Sequence, residues 1–403
     1  MQRVKQVAAH ITGSSQTKGL PALEQKHDDD VVITMAIRSP LCKAWKGGLK
    51  DATTDELFLE MFKARSRPFD VRPLVQDICV GTVLTPSSMY PARTAALAAG
   101  FPESTAVQTI NRFCSSGLMA VTDIGNKIRA GQIEIGLAVG IDSMSQNPDD
   151  GSPPQSGLVS CNQAAKDCTE KMGWTSENVA VDFGITRDEQ DAFAARSFQR
   201  AERAQAAGYF KKEIVPFTVY QKDRVTGEKK LVTVTEDDGI RKGTTKEGLA
   251  KIRAAFPQWG NSTTTGGNAS QLTDGAAAVL LMTRRKAREL GLTILAKYIT
   301  TAVTGLAPRI MGIGPTYAIP IALKQAGITV EDVDIFEINE AFASMAVYSQ
   351  RTLSIPAEKL NPNGGARQIA TGLNELHRSQ GKVLVTSMCI GTGMGAAAVF
   401  VRD

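Results

Sequence analysis

Two kinds of segment alternate along most of the chain. Short runs with almost no polar residue, such as 31–34, 135–141 and 276–282, predict strands covered on both faces. Segments with apolar residues at helical spacing lie between such runs, for example residues 53–64. Because this rhythm begins near Asp30 and continues to the carboxyl end, the pattern predicts an α/β fold.

A polar stretch interrupts the rhythm between residues 148 and 260. It opens with Asn147-Pro-Asp-Asp-Gly-Ser-Pro-Pro154 and predicts a long helix over 187–208 and a hairpin around Gly227. We therefore divide the chain into a tail (1–29), an N-terminal α/β domain (30–147 and 261–292), an inserted loop region (148–260) and a C-terminal α/β domain (293–403).

The two α/β parts echo each other around two cysteines. A strand-like run at 107–110 leads to Cys114, and another at 383–386 leads to Cys389. We interpret both cysteines as lying at equivalent strand-to-helix turns, which suggests a duplicated fold.

Composition narrows the class of protein. The net charge is +5, and the 46 Lys and Arg are spread along the chain, which argues against a nucleic-acid-binding arm. No apolar run reaches the roughly 18 residues that a membrane span needs. The six cysteines form no C-x-x-C pair and have no His at zinc spacing, so we expect reduced thiols in an intracellular compartment and no metal.

The first residues have the composition of a targeting segment. No acidic residue precedes Glu24, and Arg3, Val4, His10 and Ile11 share one helical face. Their spacing resembles the amino-terminal type of peroxisomal targeting signal, which would be bound by an import receptor. A mitochondrial presequence and an inert terminus stay open as alternatives.

Cys114 is the cysteine with an electrostatic reason to react. Apolar residues at 118, 119, 121, 124 and 128 predict a helix that starts just after it. Free amide N–H groups and the helix dipole at such a position stabilise a thiolate, so we expect a lowered pKa. The alternative is a small buried residue that only packs before a helix.

Four motifs together resemble the thiolase family of coenzyme-A-dependent acyltransferases, in particular its peroxisomal 3-ketoacyl-CoA members. They are Asn-Arg-Phe-Cys114-Ser-Ser-Gly-Leu-Met-Ala, Gly267-Asn-Ala-Ser270, Glu337-Ile-Asn-Glu-Ala-Phe342 and Ser387-Met-Cys389-Ile-Gly-Thr-Gly-Met-Gly395. The resemblance implies two related α/β domains stacked as five αβαβα layers, an inserted loop region and a homodimer.

The resemblance also implies roles for single residues. Cys114 would be the nucleophile, and Cys389 the acid and base. The N–H of Gly391 would form an oxyanion hole with that of Cys114, while Asn339 would hold a water molecule beside the carboxylate of Glu340.

Coenzyme A is implied as a substrate, with no permanently bound cofactor. The resemblance places four residues at the coenzyme A site: Arg241, Ser270, Leu272 and Met172.

The sequence departs from the family at one place. Where the family carries a loop of the kind A-x-A-L-G-H-P-x-G-x-T-G, with a catalytic histidine, this chain passes directly from Gly365 to Ala366. The three histidines, His10, His27 and His377, do not lie where a replacement is expected. Either a small exon segment is missing from the sequence, or the protein is a degenerate thiolase.

The expected function is thiolytic cleavage of 3-ketoacyl-CoA in fatty-acid β-oxidation, in the peroxisome. Two alternatives stay open: a catalytically impaired homologue that binds acyl-CoA, and a biosynthetic acetoacetyl-CoA thiolase.

Overall fold

The structure, a computed structural model, describes residues 19–64, 70–223 and 225–403. The targeting motif predicted at Arg3–Ile11 lies outside the described residues, as does most of the predicted tail. The α/β rhythm read from the sequence is confirmed throughout the rest of the chain.

The apolar runs at 31–34, 135–141 and 276–282 and the strand-like runs at 107–110 and 383–386 all lie in strands. With seven others, these make the twelve strands of the described chain. They are β1 (Val31–Arg38), β2 (Cys42–Lys43), β3 (Asp77–Gly81), β4 (Ala106–Ile110), β5 (Ile135–Ser143), β6 (Phe217–Lys222), β7 (Lys229–Val234), β8 (Thr273–Thr283), β9 (Ala296–Gly305), β10 (Ile335–Ile338), β11 (Val383–Ile390) and β12 (Met394–Arg402).

The helices alternate with these strands and also fill the inserted region. They are α1 (Leu20–Leu23), α2 (Thr54–Lys63), α3 (Met89–Ala98), α4 (Ser116–Arg129), α5 (Gly157–Ser160), α6 (Gln163–Asp167), α7 (Met172–Asp182), α8 (Arg187–Ala206), α9 (Lys246–Ala250), α10 (Arg284–Glu289), α11 (Gly314–Ala326), α12 (Ala343–Thr352) and α13 (Gln368–Arg378).

The strands form two halves joined by a narrow seam. One half has the order β1-β8-β5-β3-β4, with β2 beside β8, and the other has the order β10-β11-β12-β9. The seam consists of two residue pairs between β1 and β9, Val32 with Lys297 and Ile33 with Ala296. Parallel pairs, β3 with β4 and β5 and β10 with β11, are mixed with antiparallel ones.

Three apolar cores arrange the halves into layers. One core joins α2 and α3 to the outer face of the first half, and another joins α11 and α12 to the outer face of the second. Between the halves, α4 and α13 pack against both sheets in a shared core. The order helix, sheet, helix, sheet, helix is the five-layered arrangement that the sequence resemblance implies.

The inserted region is tied to both halves by a buried group of charges. Arg38, at the end of β1, donates to Glu213 at 2.7 Å and to Asp237 at 2.7 and 3.0 Å. From the second half, the Thr371 hydroxyl donates to Glu213 at 2.6 Å, and Arg367 lies 3.5 Å from Asp237. Breaking such a buried pair typically costs about 3–5 kcal/mol, so these contacts fix where the inserted region sits.

Two further findings concern the described residues alone. None of their helices combines the length and apolar character needed to cross a bilayer. Within the same residues, no group of three or more His, Cys, Asp or Glu side chains is placed to hold a metal ion.

Candidate active site

Cys114 lies in a tight turn between β4 and α4, as the sequence predicts. The helix begins two residues later, at Ser116. A Cβ on Gly81 would lie 2.1 Å from the carbonyl oxygen of Ser116, and a Cβ on Gly140 would lie 3.2 Å from the Cα of Gly117. These glycines therefore let the start of α4 rest directly on β3 and β5.

The turn meets a second turn, after β11, at Gly391. Phe113 has a φ of 44°, a left-handed conformation that is rare for a bulky residue. A Cβ on Gly391 would lie 3.3 Å from the ring of Phe113, so the ring lies against this glycine. The backbone N–H of Gly391 lies close enough to the Cys114 sulfur to act against the ionisation cost of its thiol. The contact brings together two of the motifs noted in the sequence.

Cys389 is buried on β11, close enough to Cys114 for their charges to interact. The prediction of a strand-to-helix turn at Cys389 is wrong, because β12 follows and forms a hairpin with β11. The alanine-rich sequence that follows the glycines lies in β12, a strand covered on both faces. The amide of Asn339 donates to the Cys389 sulfur at 3.2 Å and accepts from the Cys389 N–H at 3.0 Å.

The prediction of a lowered pKa at Cys114 is contradicted. Although the Cys114 side chain is exposed to the cavity, desolvation by the surrounding protein raises the pKa of its thiol above the ordinary value, and the N–H groups of Gly391 and Cys114 act in the opposite direction. Asp142 and Asp149 add to the increase through their negative charges. Burial also raises the pKa of Cys389, to about 12. Both thiols are therefore harder to ionise than a free cysteine.

We expect Cys114 to be alkylated slowly at neutral pH and faster as the pH rises. The thiolate is the reactive form, and a raised pKa moves its appearance above the value of about 8.5 for a free cysteine. Rates of iodoacetamide labelling, followed by peptide mass spectrometry from pH 6 to 11, measure this midpoint. The same peptide in urea-unfolded protein is the reference, and a native midpoint at or below the unfolded one would contradict the expectation.

Glu340 anchors the loop that carries Asn339. Its carboxylate accepts from the Ser197 hydroxyl at 2.5 Å and from the Asn361 side chain at 2.6 Å. Burial raises its pKa, while these two bonds oppose the increase. Since Ser197 belongs to α8, Glu340 connects the loop to the inserted region rather than reaching Cys114 through a hydrogen bond.

A cavity of about 690 Å³ lies between the halves and the inserted region. Cys114, Asn339 and Glu340 line it, which places most of the predicted catalytic residues on one surface. Three of the four predicted coenzyme A residues, Ser270, Leu272 and Met172, line it as well.

Arg241 does not line the cavity but lies on the exposed surface beside it. Its guanidinium donates to the Gly266 carbonyl at 3.1 Å and lies 5.6 Å from the centre of the Phe198 ring. Phe198 itself is part of the cavity wall. A charged group bound at the mouth would therefore come close to Arg241.

Gly365 and Ala366, which are joined directly in this chain, form part of the same wall. Several buried polar atoms near this junction lack hydrogen-bond partners. Four of the seven buried atoms without a hydrogen-bond partner in the described chain lie here: Glu337 Oε1, Gln368 Oε1, Thr386 Oγ1 and Arg367 Nε, the last of which has only its ion pair with Asp237 at 3.5 Å. Burial also raises the pKa of Glu337 to about 8. A buried polar atom without a hydrogen-bond partner lowers the stability of the fold, and such atoms are concentrated beside this junction.

No histidine lines the cavity among the described residues. His377, near the carboxyl end of α13, contacts the Leu295 carbonyl at 3.0 Å, whereas the junction precedes the amino end of that helix. His27 lies just before β1, and His10 is outside the described residues. The sequence prediction that His27 and His377 do not replace the missing histidine agrees with these positions.

Two family models match this chain almost end to end. Residues 31–285 match the N-terminal domain of thiolase, and residues 292–402 match its C-terminal domain. The chain belongs to the thiolase family. The fold that the resemblance implied, with two α/β domains in five layers, is therefore confirmed.

Similar proteins include several peroxisomal thiolases. The chain is 48% identical to the human peroxisomal 3-ketoacyl-CoA thiolase, over 99% of both chains. That alignment runs over 423 positions, whereas this chain has 403 residues, so the human enzyme has residues for which this chain has no counterpart.

Two solved structures show the same fold. The dimeric peroxisomal thiolase of Saccharomyces cerevisiae superposes with a TM-score of 0.88 at 43% identity, over 95% of this chain and all of the yeast chain. The human mitochondrial 3-ketoacyl-CoA thiolase in complex with CoA superposes with a TM-score of 0.80 at 33% identity, over 94% of this chain and all of that one.

Sequence reasoning missed several residues that shape this thiolase site. Asp142, Ser197, Asn361 and Arg367 all line the cavity or bond to residues that do. Each lies in a segment that looks ordinary along the chain. Their importance arises from contacts between segments more than 20 residues apart or from the junction, and no local pattern reports these.

Proposed function

We propose that this thiolase cleaves 3-ketoacyl-CoA with coenzyme A, giving acetyl-CoA and a shortened acyl-CoA in peroxisomal fatty-acid β-oxidation. The observation that carries the proposal is the position of Cys114 in the cavity wall, where its charge interacts with Cys389 and the Gly391 N–H acts on its thiol. The full-length likeness to peroxisomal 3-ketoacyl-CoA thiolases supports the same reaction and the same compartment.

The first half of the reaction transfers the acyl group to the enzyme. The Cys114 sulfur attacks the 3-keto carbon, and the N–H groups of Gly391 and Cys114 stabilise the oxyanion. When the bond between C2 and C3 breaks, the acetyl-CoA carbanion takes the proton of Cys389 and leaves. The proton of Cys114 passes to water in the open cavity, because no histidine lines it within the described residues.

The second half releases the shortened product. The Cys389 thiolate takes the proton of an incoming coenzyme A thiol, whose sulfur attacks the thioester on Cys114 and frees the nucleophile. Asn339 holds Cys389 in place for both steps through its two hydrogen bonds. Two products released in turn, with an acyl-enzyme between them, give ping-pong kinetics.

Coenzyme A enters as a substrate. Ser270, Leu272 and Met172 offer backbone and apolar contacts for the pantetheine arm, and Arg241 offers a cation for phosphate at the mouth. The complex of the human mitochondrial relative with CoA supports this assignment.

The test is direct. The purified protein is mixed with 3-ketoacyl-CoA and coenzyme A, acetyl-CoA is measured, and intact-protein mass spectrometry follows an acyl adduct on Cys114. We expect slow turnover with a detectable adduct, because the general base is missing. Stabilisation by acyl-CoA without any adduct would instead support the impaired binding homologue.

The thiolase works as a homodimer through the free edge at β4. The opposite edge strand, β10, is covered, since Phe336 exchanges backbone hydrogen bonds with Lys359 and Asn361. β4 has no such cover among the described segments, and the nearby helix α3 exposes Tyr90 and Met89. A free strand edge beside apolar side chains invites pairing with a second copy.

Replacing Thr109 by Pro is expected to convert the dimer to monomer at micromolar concentration. The backbone of Ala106 and Ile110 bonds toward β3, so the Thr109 N–H, at the alternate position, points to the free edge. Proline removes that donor without disturbing the pairing with β3. Light scattering after gel filtration measures the mass, and Thr109→Val, which keeps the N–H, is the control. A Thr109→Pro dimer of unchanged affinity would place the interface elsewhere.

The localisation signal is the segment of Arg3, Val4, His10 and Ile11. An import receptor that binds this segment would bring the chain to the peroxisome.

A further inference from the structure

Asp142, at the end of β5, holds the segment that follows β3. Its Oδ1 accepts from the Thr82 hydroxyl at 2.9 Å, from the Val83 N–H at 3.1 Å and from the Leu84 N–H at 2.9 Å. A carboxylate that accepts several backbone N–H groups is a strong anchor, because each bond is assisted by its charge. One side chain thereby fixes three consecutive residues.

The chain of hydrogen bonds continues to the turn of the nucleophile. The side-chain amide of Asn111 donates to the Val83 carbonyl at 3.2 Å, and its oxygen accepts from the Phe113 N–H at 2.8 Å. Phe113, with its left-handed backbone, immediately precedes Cys114. A bulky residue keeps such a conformation only where its surroundings impose it, and Asn111 supplies that restraint.

Asp142 also shares the cavity wall with Cys114. Its negative charge raises the pKa of the Cys114 thiol, so it does not act by favouring the thiolate. The other acidic groups around Cys114 are Asp149 in the loop after β5, Cys389 on β11 and Glu340 across the cavity. None of these three bonds to the segment 82–84 or to Asn111.

The nearest cation on the same turn is engaged elsewhere. The guanidinium of Arg112 points to the sulfur of Met119, at 3.4 Å. It therefore does not neutralise Asp142, which in the described chain accepts hydrogen bonds from uncharged donors, the Thr82 hydroxyl and two backbone N–H groups.

We propose that Asp142 is a positioning residue for the nucleophile, which fixes the turn of Cys114 through Val83 and Asn111. The inference rests on the proposed role of Cys114 in acyl transfer. The anchor keeps the sulfur against the Gly391 N–H, where the oxyanion must form. The negative charge of Asp142 disfavours the Cys114 thiolate. Asp142 therefore positions the sulfur while it lowers the reactivity of the thiol.

Three variants separate geometry from charge. Asp142→Asn removes the charge and one strong acceptor, Asn111→Ala breaks the connection but keeps the charge, and Asp149→Asn removes a charge that is no part of the connection. Each is measured by the pH midpoint of Cys114 alkylation, by the single-turnover rate of acyl-enzyme formation, and by hydrogen exchange at the Phe113 N–H.

Asp142→Asn is expected to move two readouts in opposite directions. The alkylation midpoint falls by about half a pH unit, which means about threefold more thiolate below it. Acyl-enzyme formation nevertheless slows by about tenfold, and exchange at Phe113 speeds up by about tenfold. A residue that only stabilised the fold would not lower the midpoint.

Asn111→Ala is expected to slow acylation and speed exchange by similar factors without lowering the midpoint. Asp149→Asn is expected to lower the midpoint alone. The proposal is overturned if Asp142→Asn leaves the exchange at Phe113 unchanged, or if it acylates as fast as the unaltered chain. If the unaltered chain forms no acyl-enzyme, the proposed function fails, and exchange at Phe113 with the alkylation midpoint still decides the role of Asp142.

Discussion

Inserting a Gly-His-Pro segment between Gly365 and Ala366 is expected to raise the rate of acyl-enzyme formation by about 10² to 10⁴. That range is what a positioned general base typically contributes. The junction lies in the wall of the cavity that Cys114 lines, and desolvation by the surrounding protein raises the pKa of the Cys114 thiol. A histidine there would accept the thiol proton as the sulfur attacks, which removes the need for a free thiolate.

The control is an inserted segment of the same length with alanine in place of histidine. It lengthens the backbone at the junction by the same number of residues, but it supplies no base. The two proteins should have similar melting temperatures and different acylation rates. Equal rates would show that the shortened junction limits the reaction through structure alone, and no gain in either would show that the segment belongs elsewhere.

Replacing Cys114 by Ala is expected to remove the acyl adduct and lower acetyl-CoA release by about 10³-fold or more. The nucleophile forms the covalent bond on which both half-reactions depend, and a catalytic unit loses most of its rate when one member is removed. Mass spectrometry after mixing with 3-ketoacyl-CoA reports the adduct. Release that survives the substitution would mean that another group attacks the substrate.

Two other cysteines sharpen this test. Cys161→Ala removes an exposed thiol of the inserted region and should leave the adduct intact. Cys389→Ala should slow the release of acetyl-CoA while Cys114 stays open to alkylation, because its loss removes the acid and not the nucleophile. If Cys114 were no longer alkylated in the Cys389→Ala protein, the substitution would have damaged the site, and the two cysteines could not be assigned separate roles.

Most elements of the fold could be predicted because the buried positions of a helix or strand appear in the sequence as a pattern of apolar residues. β5 and β8 are covered on both faces and appear as apolar runs, and α4 shows its buried stripe after Cys114. Cys389 shows the limit of this reasoning. The small residues that follow it suit a helix or a covered strand equally well, and only pairing with β11 and β9 decides for β12.

The properties of the site were predicted less completely than the elements of the fold, for a physical reason. Motifs identified Cys114, Cys389, Asn339 and Glu340, and the cavity brings three of them to one surface. The direction of the Cys114 pKa was wrong because desolvation by distant segments outweighs the local helix terminus. A local pattern reports the dipole of a helix but not the protein that covers it.

The position of β8 has a consequence for how the chain is made. β8 lies between β1 and β5, and it is encoded after the whole inserted region. While the ribosome is still synthesising residues 148–260, β1 and β5 each present an unpaired edge that only residues 273–283 will close. The nascent N-terminal half therefore keeps both of these strand edges unpaired while the whole inserted region is translated. Premature termination before Thr283 leaves the two edges without their pairing strand.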